Sequence, residues 1–264
     1  MIEFPSPHPM PVRKLFRYFS APSPLPASLP QGRRFYAVGD IHGRRDLLDE
    51  LLARIEDDAA ARGPADTLVI FLGDLIDRGP DSRGVVERLM AFRDGPVPSR
   101  FLMGNHEEVF LKALKGDLRA LRFLIRIGGR ETLLSYGATE EELDAMTLGQ
   151  LREWLMSHIP EAHLRFIEGM AEKVLIGDYA FVHAGVRPRV PMGEQEPRDL
   201  RWIREEFLTF PDPHDYFVVH GHSITADVEE RPNRVGIDTG AYASGILTAV
   251  GLEETARWFL STAD

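Results

Sequence analysis

Five times in this chain a short apolar run of β-forming residues stops abruptly at glycine, aspartate, asparagine or histidine. Arg34 to Val38 runs into Gly39-Asp40-Ile41-His42-Gly43, and Thr67 to Leu72 into Gly73-Asp74-Leu75-Ile76-Asp77-Arg78-Gly79. Ser99 to Met103 ends in Gly104-Asn105-His106-Glu107, Tyr179 to Val182 in His183-Ala184-Gly185, and Tyr216 to Val219 leads to Gly221-His222. Loops at the carboxyl ends of strands are where α/β folds build their sites, so five such loops converging make one polar pocket. Between the first three runs lie two helical patterns. Leu47, Leu48, Leu51, Leu52 and Ile55 repeat at spacings of three and four, and Val85, Val86, Leu89 and Met90 do the same. Strand–loop–helix units in succession predict an α/β sheet with helices on its faces.

The rest of the chain follows a different rhythm. Residues 108 to 171 are helical in pattern, with breaks at Gly128-Gly129, Gly137 and Pro160, and read as a helical insertion or cap. Strands return at Lys173 to Ile176, Tyr179 to Val182, Tyr216 to Val219, Arg234 to Ile237 and Gly245 to Val250. Together these predict two mixed β-sheets packed as a sandwich and flanked by helices. Residues 1–31, rich in Pro and Ser, read as a flexible lead-in to a domain over residues 32–264.

Composition narrows the function. A formal net charge of −10 disfavours sequence-independent nucleic-acid binding, which needs Lys and Arg to neutralise phosphates. The absence of cysteine removes disulfide frameworks, thiol nucleophiles and zinc–thiolate sites. No apolar run is long enough to span a membrane, and the prolines between Tyr18 and Pro30 interrupt any signal-peptide core. No membrane partner and a cytoplasmic location are the resulting expectations.

Asp and His two residues apart on extended chain can point the same way. Carboxylate and imidazole donors suit mid-series divalent metals, and six donors from five loops are too many for one ion. They fit two ions about 3.5–4 Å apart that share a carboxylate. Each motif taken singly has a plainer reading. Gly39 to Gly43 could be an ordinary turn, Asp74 or Asp77 a helix cap, and His183 a hydrogen-bonded structural histidine. It is the ordered recurrence of all five that favours a site. His8, His158, His163 and His214 lie outside the motifs and read as surface or packing residues, and His220 is expected to face away from the metals. Glu140 to Glu142 and Glu205-Glu206 read as solvated helix faces.

Over residues 34 to 250 this pattern resembles the calcineurin-like metallophosphoesterases, and among them the bacterial serine/threonine phosphoprotein phosphatases. The resemblance implies Asp40 and His42 as ligands of one metal, Asp74 as the bridging carboxylate, and Asn105, His183 and His222 as ligands of the other. It further implies attack by a metal-bridging hydroxide, His106 as general acid, Asp77 as the carboxylate that orients it, and Arg78 as a phosphate clamp. A second arginine is expected from Arg201 or Arg204, and Trp202-Ile203-Arg204 favours Arg204. The implied cofactors are two divalent ions, manganese first, with iron or zinc as alternatives. Relatives that act as diesterases or nucleases often carry a further histidine where this chain has Ile224, which weakens that reading. Symmetrical diadenosine tetraphosphatases often lack a carboxylate at the place of Asp77, so its presence leans towards monoesters. The implied function is hydrolysis of phosphoserine or phosphothreonine in proteins. The alternative is hydrolysis of dinucleoside polyphosphates or another small phosphorylated metabolite. A non-catalytic scaffold ranks last, because no ligand and no acid is missing.

Overall fold

A computed structural model describes residues 26–263. The first three repeats are β1 (Arg33–Val38), α1 (Arg45–Ala61), β2 (Asp66–Phe71), α2 (Ser82–Arg93) and β3 (Ser99–Phe101). Then follow α3 (Asn105–Leu114), α4 (Leu118–Leu124), a π-turn over Ile125–Gly129, α5 (Arg130–Ser135), α6 (Glu140–Ala145), α7 (Leu148–His158) and α8 (Glu161–Glu168). The chain then returns to sheet with β4 (Lys173–Ile176) and β5 (Tyr179–Val182). Short α9 (Pro197–Trp202) and α10 (Glu205–Leu208) lead to β6 (Phe217–His220), β7 (Glu229–Arg231) and β8 (Arg234–Gly236). After α11 (Ala241–Ser244), the hairpin β9 (Thr248–Glu253) and β10 (Ala256–Ser261) closes the fold.

Among the described residues the strands form two five-stranded sheets, ordered β10-β9-β1-β2-β3 and β4-β5-β6-β8-β7. Both are mixed: β1 is parallel to β2 and antiparallel to β9, and β5 is parallel to β6 and antiparallel to β4. Side-chain alternation explains the layering. On β1, Tyr36 and Val38 face helices α1 and α2, whereas Phe35 and Ala37 face the second sheet. On β5, Tyr179 and Phe181 meet that inter-sheet core, and Ala180 and Val182 pack outward on Leu200 and Phe207. The result is the sandwich of two mixed sheets between helices expected from the sequence.

One expectation changes. Residues 26–31 are not a loose lead-in. Leu29 is buried in the inter-sheet core and donates its N–H to the Glu254 carbonyl at 2.9 Å, while the Ser28 N–H donates to Asp178 Oδ2. An apolar residue within reach of the hairpin outweighs the flanking prolines. The remainder of that expected tail, residues 1–25 with His8, lies outside the described residues. The helical region 108–171 packs on the same core: Leu121, Leu124, Leu133, Leu155 and Phe166 join the same buried cluster as Leu48 and Val85.

Candidate metal centre

The five loops interlock through their backbones before any side chain is counted. Ile41 and His42 donate their N–H groups to the Asp74 carbonyl at 3.1 and 2.8 Å, and Gly221 N–H donates to the His183 carbonyl at 2.8 Å. Glu107 ties the second loop to the third. Its buried carboxylate accepts N–H bonds from Asp74, Leu75 and Gly104 at 2.9, 2.8 and 3.0 Å, and burial pushes it up to about 7. Such bonding holds residues in backbone conformations that L-amino acids avoid. Among the described residues, five of the seven non-glycine positions with positive φ are His42, Asp74, Asp77, Arg78 and His222. Strain of this kind persists where the surroundings over-determine it, and it clusters at sites. Two glycines are required by close approach rather than by φ. A Cβ at Gly104 would sit 2.1 Å from Asp74 Oδ1, and one at Gly221 would sit 2.0 Å from Asp40 Oδ1.

Asp74 stands at the centre. It belongs to two buried groups of potential ligands, one with His42 and His106 and the other with His183 and His222. His183 Nε2 lies 3.4 Å from Asp74 Oδ1 and 3.0 Å from Asn105 Oδ1, and His42 Nε2 lies 3.6 Å from Asp74 Oδ2. The opposite ring nitrogens are already committed, since His42 Nδ1 donates to the Ile76 carbonyl and His183 Nδ1 to that of Leu72, both at 2.8 Å. Burial pushes His42 down to about 3 and His222 to about 2, and lowers His183. Burial thus favours the neutral rings, and in His42 and His183, whose Nδ1 donates to a carbonyl, Nε2 is left facing the Asp74 carboxylate and the Asn105 amide oxygen. The Nε2 atom of His222 is buried without any partner. Acceptors converging on acceptors is the arrangement a cation satisfies. The donor set fits divalent metals with nitrogen and oxygen ligands.

Asp40 lies outside both groups. Its carboxylate accepts the His222 N–H at 3.2 and 3.0 Å, and burial followed by the neighbouring Asp238 and Asp74 carboxylates pushes it well above the usual range. A crowd of buried carboxylates again calls for positive charge. Asp238, pushed up to about 6 by burial, had no expected role. The signal was present, because Val235-Gly236-Ile237 runs into Asp238-Thr239-Gly240 as a sixth repetition of the strand-then-acid pattern.

His106 differs from the other histidines. Burial would lower it, but Asp74 and the hydrogen bond to Asp77 outweigh that and leave it raised. Its Nδ1 donates to Asp77 Oδ2 at 2.7 Å, and its Nε2 accepts from Arg78 Nη2 at 3.1 Å. The Arg78 guanidinium lies 4.8 Å from the ring centroid of Tyr242, whose edge meets His42. Neither Asp74 nor Asp77 is a helix cap, since α2 is capped by Asp81, which accepts the Gly84 N–H.

Of the two candidate arginines, Arg201 is engaged by Glu172 and Glu108. Arg204 is exposed beside Trp202, lines a cavity of about 600 Å³, and lies close enough for its charge to lower His183 and His222. The other histidines do not join the cluster. His220 Nε2 accepts from buried Arg234, His163 pairs with Tyr136, His158 stacks on Trp154, and His214 lies against Phe207 and Phe210.

Comparison with known proteins identifies the family and the fold. The family model for calcineurin-like phosphoesterases matches residues 33–240. A symmetrical bis(5'-nucleosyl)-tetraphosphatase of Delftia acidovorans is 39% identical over 155 residues, 58% of this chain and 45% of that protein. The corresponding protein of Acidovorax sp. is 33% identical over 175 residues, 66% of this chain and 48% of its own length. The chain thus spans about half the length of these curated relatives. The asymmetrical bis(5'-nucleosyl)-tetraphosphatase PrpE of Halalkalibacterium halodurans is 28% identical over 84% of this chain and 91% of that protein. A crystal structure provisionally named a diadenosine tetraphosphatase superposes with a TM-score of 0.60 at 21% identity, covering 89% of this chain and 98% of that one, and shows the shared fold.

Proposed function

Because this chain belongs to the calcineurin-like phosphoesterase family, and is thereby a metal-dependent hydrolase, we propose that it cleaves small phosphoanhydrides of the dinucleoside polyphosphate type. The observation that carries the substrate class is that the curated relatives, including one aligned over 91% of its length, are bis(5'-nucleosyl)-tetraphosphatases. This favours the alternative of the sequence reading over phosphoprotein hydrolysis.

Asp40, His42 and Asp74 would hold one divalent ion, and Asp74, Asn105, His183 and His222 the other. Two such ions, with manganese the first candidate from the family resemblance, would supply a water of lowered pKa and neutralise phosphoryl charge. Arg78 and Arg204 bind phosphate oxygens through guanidinium forks from either side of the cluster. Arg78 Nη2 at present lies 3.1 Å from His106 Nε2, where its charge opposes protonation of that nitrogen. A phosphate that draws Arg78 away frees Nε2 to be protonated and to deliver that proton to the leaving oxygen. Asp77, by accepting from Nδ1, keeps the ring turned correctly and stabilises its charged form.

The His106–Asp77 pair also gives one specific reason to keep the second reading. A diphosphate or triphosphate leaving group needs little protonation, whereas an alkoxide needs a full proton, and this pair is equipped to give one. The two readings separate in a direct comparison of diadenosine tetraphosphate with a phosphoserine peptide on manganese-loaded protein. We expect kcat/KM for the dinucleotide to exceed that for the peptide by about tenfold or more, a transition-state difference of about 1.4 kcal/mol. Preference for the peptide would return the phosphoprotein reading to first place.

A further inference from the structure

The helical insertion reaches the site at two points, and both lie on the second motif. At the first, the Thr132 hydroxyl in α5 meets Asp77 from two directions. It donates to Asp77 Oδ1 at 2.6 Å and accepts the Asp77 N–H at 2.9 Å. Its single proton is thereby used, so Ser82 Oγ, at 2.9 Å, must donate to it. Asp77, Ser82, Thr132 and His106 are all at most 1% exposed. At the second point the π-turn wraps around Arg78. The Arg78 N–H donates to the Gly128 carbonyl at 2.8 Å, and Arg78 Nε donates to the Ile127 carbonyl at 3.3 Å. Gly128 has φ 109°, and a Cβ there would fall 2.6 Å from Arg78 Cγ. Asp77 and Arg78 themselves sit at φ 72° and 70°, a conformation that needs outside support.

We propose that the insertion sets the geometry of the proton donor and the phosphate clamp, with Thr132 positioning His106 through Asp77 and the π-turn positioning Arg78. One Asp77 oxygen is taken by the His106 ring and the other by Thr132. Without the hydroxyl the carboxylate can rotate about its Cβ–Cγ bond and release the ring. Gly128, at φ 109°, kinks the chain between the two helices, and the carbonyls of Ile127 and Gly128 are left free to accept from Arg78. Thr132 touches no reacting atom. It is a positioning residue, and losing it should cost a fraction of what losing the acid costs.

The inference rests on His106 acting as proton donor, so Thr132→Val is read beside His106→Asn. Both are assayed at equal manganese content on phenyl phosphate, whose leaving group needs a proton, and on 2,4-dinitrophenyl phosphate, whose leaving group does not. For Thr132→Val we expect kcat on phenyl phosphate to fall by about tenfold, KM and the activated ester to change less than about twofold, and Thr132→Ser to restore the rate. The metal-free protein gives a second readout: the His106 Nδ1–H proton held by Asp77 should be a slowly exchanging downfield resonance in the wild type and should exchange faster with solvent in the variant. Should Thr132→Val not fold, Thr132→Ala is read in the same way. Equal losses on both esters, or no loss, with His106→Asn still selective, would overturn the positioning role alone. If His106→Asn itself shows no leaving-group selectivity, the proton-donor reading falls and takes this inference with it.

Discussion

Replacing Asp74 by asparagine is expected to abolish turnover, by on the order of 10³-fold or more, while leaving the fold intact. Its two oxygens face different histidines, Oδ1 towards His183 and Oδ2 towards His42, so one substitution weakens both halves of the centre. An amide also brings a donor into a place now lined with lone pairs. The side-chain N–H₂ introduced by Asp74→Asn would satisfy a neutral imidazole that Asp74 leaves facing another acceptor. The metal-free variant is therefore expected to melt no lower than metal-free wild type, although it binds metal poorly. Elemental analysis and thermal unfolding check the two halves separately. Normal metal content with normal activity would remove Asp74 from the bridging position.

The second large effect belongs to His106. His106→Asn should keep both ions, because its ring is held by Asp77 and Arg78 and it is not one of the residues proposed to hold either ion. For a substrate with a poor leaving group, kcat is expected to drop by about 10² to 10⁴, the usual worth of positioned proton transfer. The diphosphate-type leaving group of a dinucleotide should suffer much less. Equal sensitivity of the two substrate types would mean that His106 stabilises charge rather than delivering a proton.

Much of this site could be read in the chain because its logic is local. A strand ends, glycine permits the turn, and the next polar side chain points into the pocket, so each motif carries its own signal within a few residues. Packing was legible where alternation was strong, as in β1 and β5. The edges were not. β7 is Glu229-Glu230-Arg231, a charged edge strand with no apolar face to announce it. β10 exists because it pairs back on β9 across Glu254-Thr255, with Trp258 against Gly251. The support of the acid was illegible for a different reason. Thr132 and Asp77 are 55 residues apart, and their contact depends on how several helices and a π-turn stack, which no local pattern encodes. Substrate choice is equally remote from the motifs. Asp77 argued for monoesters from chemistry that serves several leaving groups, whereas the relatives aligned over longer stretches of chain are named bis(5'-nucleosyl)-tetraphosphatases.

The most direct test of a two-metal centre is a titration of chelator-stripped protein with Mn²⁺, following metal binding and diadenosine tetraphosphate hydrolysis together. Activity is expected to stay near zero until the first equivalent is bound and to rise as the second binds, reaching its plateau at two ions per chain. Full activity at one equivalent, or hydrolysis by the stripped protein, would contradict a shared centre built around Asp74.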